Sequence, residues 1–407
     1  MKKDSDSIFS YACSLVFDKF ARIKKDRVVF TSFNGHYSDS PKYISEALHR
    51  LSPETEIVWL VSDKFKHLVP DYATCVDISS KETRKYTKSA VAFVDNVYWR
   101  EVYLRESDSF VSKLKGKVFA SLIKQKKRHY FTTWHGTPLK RMGRDQIGNC
   151  VYDFVCPKNS HMLLGNQFTL DIMNHLTFDK MQMELIGCPR NDLLFASEQQ
   201  KLEIKKRLGL PEDKKIILFA PTFRNDGHDT ENKNVLKSGV NQMNEIDFDR
   251  LFDTLSKKFG GDFALVCRFH YHVESMIDFD ELSKKSGGRI INGNLHDDMA
   301  EYLAACDVLL TDASSCMFDY ALTKQPCFLF FPDLEHYKNK ERGFYLDTDT
   351  LPFPCSIDFE GLCGDILSFD SAEYKKNIDK MLSSLGFVDD ESSSERVAKY
   401  IIEKALK

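Results

Sequence analysis

Short apolar runs recur along the chain at intervals filled by amphipathic stretches. Arg27–Thr31, Glu56–Val61 and Ala90–Val94 are each too short for a helix and rich in Val, Ile or Phe, and the pattern over Lys42–Leu51 between the first two has helical spacing. The rhythm returns further on with Lys215–Ala220, Phe263–Arg268, Val308–Thr311 and Pro326–Phe331. Continuous apolar runs alternating with helical patterns predict βαβ units around parallel sheets buried on both faces. Each run of the second series ends at polar or Pro residues, and open α/β sheets bind ligands just beyond the carboxyl ends of their strands.

Two such series in 407 residues predict two Rossmann-type domains, 1–200 and 201–407, with the boundary between Pro189 and Leu210. Asn225–Asn244 is polar and rich in Asn, Lys and Gly, as expected of a long mobile loop that closes over ligand. Glu391–Lys407 reads as a helix that closes the chain.

Charge and composition narrow the partners. Formal net charge is −3, so the chain as a whole is no polyanion binder, nucleic acid included, and any attraction to phosphate or lipid has to be local. The eleven cysteines contain no C-x-x-C pair; Cys306, Cys316 and Cys327 lie in apolar contexts and are expected to be buried thiols in a reducing, cytoplasmic setting. No run approaches the ~20 apolar residues that span a bilayer, and the apolar stretch from Ile8 to Phe20 is interrupted by Asp18, unlike a signal peptide. One local patch stands out. In Val111–Arg128, apolar Val111, Leu114, Val118 and Leu122 recur at helical spacing among six lysines and Arg128, with no acidic residue. A basic amphipathic helix of this kind lies on anionic lipid or packs on its own domain with a solvated lysine face.

Three stretches carry candidate chemistry. Thr133-Trp134-His135-Gly136-Thr137-Pro138-Leu139-Lys140 follows the apolar run Tyr130–Thr133, and Ala220-Pro221-Thr222-Phe223-Arg224 follows another. The third is Asp307–Ala321, which contains Thr311-Asp312-Ala313-Ser314-Ser315 followed by a helical pattern. An imidazole beside Gly can approach a substrate hydroxyl and take its proton near neutral pH. Two hydroxyls at a helix start suit a phosphate, and equally suit an ordinary N-cap. Arg268-Phe269-His270 also follows a strand and ends in two groups able to carry positive charge.

Together and in this order, these stretches resemble the CDP-glycerol glycerophosphotransferases, the teichoic-acid primases and polymerases and their capsule-polymer relatives. The resemblance implies a GT-B-like α/β fold, with two Rossmann-type domains facing across a cleft, the nucleotide held by the second, and no cofactor or catalytic metal. It implies His135 as the base, with Trp134, Gly136, Thr137 and Lys140 on the acceptor side, and His270 with Arg268 neutralising charge on the transferring phosphoryl oxygens. Ser314 and Ser315 would then hold the diphosphate, among a donor set that includes Thr222, Arg224, Thr311, Asp312 and Asp319, the last of which reaches a donor hydroxyl or caps or pairs locally. Two departures are visible: Tyr271, followed by His272, stands where the family has Pro, and Ala313 where Tyr is common. Glu341–Tyr345 also echoes a family turn near the donor.

The expected reaction moves glycerol-phosphate or ribitol-phosphate from a CDP-polyol to a hydroxyl of a lipid-linked saccharide or growing polymer, releasing CMP, on the inner face of the membrane. The rivals are a nucleotide-sugar transferase of the same fold and an inactive membrane adaptor. A metal-dependent transferase would need an Asp-x-Asp site. Asp247–Asp249, Asp278–Asp280 and Asp347–Asp349 have that spacing, but triplets of this kind arise by chance among 60 acidic residues.

Overall fold

A computed structural model describes residues 22–33, 35–97, 128–146, 159–176, 181–222, 242–269, 277–338 and 343–407, and the backbone alone of 104–106 and 153–155. The basic stretch 111–127, residues 223–241, His270–His272 and Glu341–Arg342 fall outside these limits.

The chain forms two compact units, each built on a parallel sheet. The first sheet uses β1 (Lys24–Phe30), β2 (Glu56–Val61), β3 (Thr74–Asp77), β4 (Ala90–Asp95), β6 (His129–Thr132), β8 (Ser160–Leu164) and β9 (Gln182–Leu185), in the order β3-β2-β1-β4-β6-β8-β9. Two short strands, β5 (Leu104–Glu106) and β7 (Asp153–Val155), pair antiparallel beside it in sequence. The second sheet runs β12-β11-β10-β13-β14-β15, from β10 (Lys215–Ala220), β11 (Phe263–Cys267), β12 (Ile290–Asn292), β13 (Val308–Thr311), β14 (Cys327–Phe330) and β15 (Cys355–Ser356). In both sheets the strand order reverses beside the first strand of the unit, between β1 and β4 and between β10 and β13. These reversals are the topological switch points of doubly wound sheets.

The apolar runs became strands because they could be buried on both faces. Every residue of β4, β11, β13 and β14 is buried, which only a sheet covered by helices on each side allows. In the first unit, helix α1 (Asp39–Leu51) lays Ile44, Ala47 and Leu48 on the sheet. Trp59 stacks on Phe30 and donates its indole N–H to Ser45 Oγ at 3.1 Å, so its one polar atom is satisfied in the core.

The units are not two contiguous halves. Residues 136–150 belong with the second, and 387–407 return to the first. Helix α5 (Ser393–Ile401) buries Val397, Ala398 and Ile401 in the first core beside Val28 and Trp59. Asp192 fastens its start by accepting from the backbone N–H of Ser393 and Ser394, each at 2.9 Å. A division at residue 200 therefore misses both exchanges, and the last helix completes the first core.

The three Asp-x-Asp triplets do local work. Asp247 and Asp278 cap the helices Phe248–Phe259 and Phe279–Lys285, and Asp347 caps Thr348–Thr350 while pairing with Lys338. Cys306, Cys316 and Cys327 are buried free thiols, and burial raises the pKa of each.

Candidate active site

In the first unit the loops after β1, β4 and β6 converge on His135. Its Nδ1 lies 3.2 Å from the carbonyl oxygen of Asn96, the residue following β4. The side chain of the same Asn96 accepts from the backbone N–H of Phe33, in the loop after β1, at 3.1 Å. One residue thus ties all three strand ends together. Trp134 lies against the imidazole with ring centroids 4.0 Å apart, and Phe33 meets it edge-on at 6.3 Å.

Backbone strain gathers here. Among the described residues four non-glycines have left-handed φ, and Phe33 (40°), Asp39 (60°) and Trp134 (55°) are three of them. An aromatic side chain at positive φ is unfavourable and persists only where its surroundings over-determine it. Gly136, at φ 134°, takes a conformation closed to side chains immediately after the histidine.

Burial lowers the pKa of His135, partly offset by the Asn96 carbonyl and the Asp39 carboxylate, with Arg190 acting the other way. Asp39, the first residue of α1, and Arg190 form a buried ion pair at 2.7 Å. The site therefore presents an imidazole kept neutral, with a charge pair beside it.

Trp134 and His135 stay in the first unit while Gly136 onward joins the second. Thr137 and Leu139 are buried there, and Lys140 bridges to Phe344. Arg141 donates its main-chain N–H to Gly343 O at 3.1 Å, and Tyr345 N–H reaches Leu139 O at 2.8 Å. The HGTPLK and GFY segments, some 200 residues apart in sequence, form one local structure, with Lys140 Nζ 5.8 Å from the Tyr337 ring. Thr137 is buried and so is not an exposed acceptor contact.

At the switch point of the second sheet, Asp312 accepts from the backbone N–H of Thr222 at 2.8 Å and from Gln242 Nε2 at 3.1 Å, while Thr311 Oγ1 donates to Ala220 O at 2.6 Å. Thr311, Asp312 and Asp319 are all buried. Thr311 and Asp312 stitch the ends of β10 and β13 together rather than offering side chains to a ligand, and the Thr222 hydroxyl is likewise buried. Ser314 and Ser315 remain partly exposed above them. Ser315 stands at the N-cap of α3 (Cys316–Tyr320) without a side-chain capping bond. Its hydroxyl is not spent on the helix, which favours the phosphate reading over the cap for Ser315, whereas Ser314 Oγ accepts from the backbone N–H of Cys316 at 3.5 Å.

Arg268 also departs from expectation. Its guanidinium donates to the carbonyls of Gly293 (2.8 Å), His296 (2.5 Å) and Asp297 (2.5 Å), over the Tyr302 ring at 5.2 Å. It holds a loop rather than facing a phosphoryl group. His270 and Arg224 lie outside the described residues. Sequence reasoning passed over Asn96, Asp39, Arg190 and Gln242. Asn96 was within its reach, lying at the strand end just past the apolar run Ala90–Val94 and Asp95. The other three matter only through contacts distant in sequence. Among the described residues, no three His, Cys, Asp or Glu side chains gather as a metal site would require.

Fold and site define an α/β protein of two parallel sheets, with a neutral imidazole at one switch point and paired serine hydroxyls beside the other. The chain belongs to the CDP-Glycerol:Poly(glycerophosphate) glycerophosphotransferase family, whose model matches residues 13–403. It is 30% identical over 403 residues to the teichoic acid poly(glycerol phosphate) polymerase of Staphylococcus epidermidis, covering 94% of this chain and 51% of that one. It is 27% identical over 400 residues to the teichoic acid glycerol-phosphate transferase of Staphylococcus aureus, covering 93% of each. The solved structure of the wall teichoic acid polymerase TagF superposes with a TM-score of 0.75 at 28% identity, over 96% of this chain and 92% of that one. The chain spans about half the length of the curated poly(glycerol phosphate) polymerases from S. epidermidis and Bacillus subtilis that it matches.

Proposed function

We propose that this protein transfers a polyol-phosphate, glycerol-phosphate or ribitol-phosphate, from a CDP-linked donor to a hydroxyl of a lipid-linked saccharide or growing polyol-phosphate chain, releasing CMP. The observation that carries this reading is the family match along residues 13–403. Relatives named as ribitol-phosphate primase and polymerase keep both polyols in play.

The residues take the following roles. His135 Nε2, left bare because Nδ1 faces a carbonyl, removes the proton of the acceptor hydroxyl. The acceptor oxygen attacks the distal phosphorus of the CDP-polyol, the bond to the bridging oxygen breaks, and CMP departs with that electron pair. Ser314 and Ser315 donate to the diphosphate. Arg268 acts at one remove, by shaping the Gly293–Asp297 loop. Lys140, His270 and Arg224 supply positive charge toward acceptor and donor phosphates. Positioning and electrostatics account for most of the rate in such a transfer. The basic segment Val111–Arg128 brings the enzyme to the anionic inner face of the membrane, where a lipid-linked acceptor would lie. Among the described residues no helix is long and apolar enough to cross a membrane.

The test is CMP release from CDP-glycerol and from CDP-ribitol, with and without a lipid-linked acceptor. Acceptor-dependent release from one donor supports the reading and names the polyol. Release from neither, with turnover of a nucleotide-sugar instead, replaces it.

A further inference from the structure

Gln242 is 4% exposed and sits against the switch point of the second sheet. Its Nε2 donates to Asp312 Oδ2, while Asp312 Oδ1 is taken by the backbone N–H of Thr222. A carboxylate only accepts, so the amide cannot turn over, and Gln242 Oε1 has to point away from Asp312. That oxygen is buried and has no hydrogen-bond partner among the described residues. A buried carbonyl left unpaired is costly, and native structures seldom keep one without use.

We propose that Gln242 is a donor-binding residue, whose Oε1 accepts a hydroxyl of the CDP-polyol while its Nε2 fixes Asp312 and so the turn leading to Ser314 and Ser315. The inference rests on the donor reading above and adds a specificity element to it. The chemistry of the free atom selects the group. A carbonyl oxygen repels phosphate oxygens, which have no proton to give at neutral pH, and accepts from a neutral O–H. The polyol and the ribose are the parts of a CDP-polyol that carry such groups. Phosphates would meet the serine hydroxyls, and a hydroxyl would meet the amide oxygen, two residues away from Ser314 through Asp312. One carboxylate thus sets the spacing between two kinds of subsite.

The experiment uses the full chain and measures CDP-glycerol and CDP-ribitol affinity by calorimetry, KM and kcat for CMP release, and the melting temperature. Gln242→Met keeps the length of the side chain and removes both hydrogen bonds. It should raise Kd and KM for the donor about tenfold or more, with kcat changed far less. Gln242→Glu sets two carboxylates against each other and should also weaken donor binding. Adding Asp312→Asn restores an N–H···O bond across the pair, and the double variant should recover most of the affinity, whether or not the Met variant folds well. A lower melting temperature with donor Kd unchanged in the folded protein would reduce Gln242 to packing and overturn the inference. Failure of the double variant to recover affinity would do the same. If the unaltered protein binds neither CDP-polyol, the donor reading falls first, and this inference with it.

Discussion

His135 Nδ1 lies 3.2 Å from the main-chain oxygen of Asn96. Because that oxygen can only accept, the proton resides on Nδ1 and the lone pair on Nε2, the tautomer a general base requires. Burial sets the pKa of the ring below its ordinary value of 6.5. The acid limb of the pH–rate profile should therefore have its midpoint below 6.5, with turnover level at higher pH. His135→Ala should cost about 10²–10⁴ in kcat while leaving donor affinity intact. A pH–rate inflection above 6.5, or near-normal turnover of the variant, would remove His135 from this role.

The Asp39–Arg190 pair is buried at both ends, with side chains 10% and 8% exposed. Removing one member strands a charge. Asp39→Ala should lower stability by about 3–5 kcal/mol, and the double variant Asp39→Ala/Arg190→Met should cost clearly less than the two single changes added together. Denaturant titration of the four proteins gives the coupling directly. Additive losses would mean that the pair is not an interacting unit.

Ser315 tests the phosphate reading separately from stability, since it makes no capping bond, whereas Ser314 Oγ accepts from the backbone N–H of Cys316. Ser315→Ala should raise donor KM by about tenfold, the worth of one hydrogen bond to a charged group, and leave the melting temperature within a degree or two. A capping role would give the reverse, a loss of stability with KM unchanged.

Central strands were legible because their composition allows nothing else. Glu56–Val61, Lys215–Ala220 and Val308–Thr311 are strands over the residues the pattern marked. Edge strands were not. Gln182–Leu185 reads QMEL and is only partly covered, so it lacks the apolar continuity that marks a buried strand. The strand next to it, Ser160–Leu164, is interior and fully buried, but it is written with Ser, His and Met in place of β-branched residues and was missed as well. The site divides the same way. His135 and the two serines were readable as motifs beside strand ends. What holds them in place was not, since Asn96 acts through its main-chain carbonyl and Arg268 through carbonyls more than twenty residues on. Nor does any local pattern tell that the last helix packs beside Trp59.

Arg268 offers a sharp distinction between a phosphate clamp and a loop brace. Three carbonyls along Gly293–Asp297 need a planar fork of donors, which an ammonium cannot reproduce. Arg268→Lys should therefore lower stability by about 2–3 kcal/mol and raise donor KM at the same time. A variant of normal stability with only a kcat defect would return Arg268 to direct charge neutralisation.

A relay on the far side of the first unit predicts how stability responds to acid. Tyr400 donates to Glu184 at 2.8 Å, so its oxygen accepts from His161 Nδ1 at 3.1 Å, and His161 Nε2 accepts from His129 Nδ1 at 3.1 Å. This arrangement uses every proton once and pins α5 to the sheet. Protonating His161 would turn its Nε2 into a second donor facing the donor of His129. Burial first, and then the nearby His129 and Lys404, push the His161 pKa down to about 4. A folded-state pKa below the unfolded value means that the contribution is complete above pH 6.5 and erodes as pH falls from 6.5 toward 4, because the unfolded chain takes up a proton that the folded one refuses. The loss should reach about 2 kcal/mol by pH 5. His161→Gln keeps a donor and an acceptor without a titrating group, so its stability should change less over the same range. Denaturant midpoints at pH 7.5 and pH 5 for both proteins decide the matter. Parallel losses in the two would place the acid sensitivity elsewhere, and a smaller loss in the variant locates it in the histidine that joins the last helix to the first sheet.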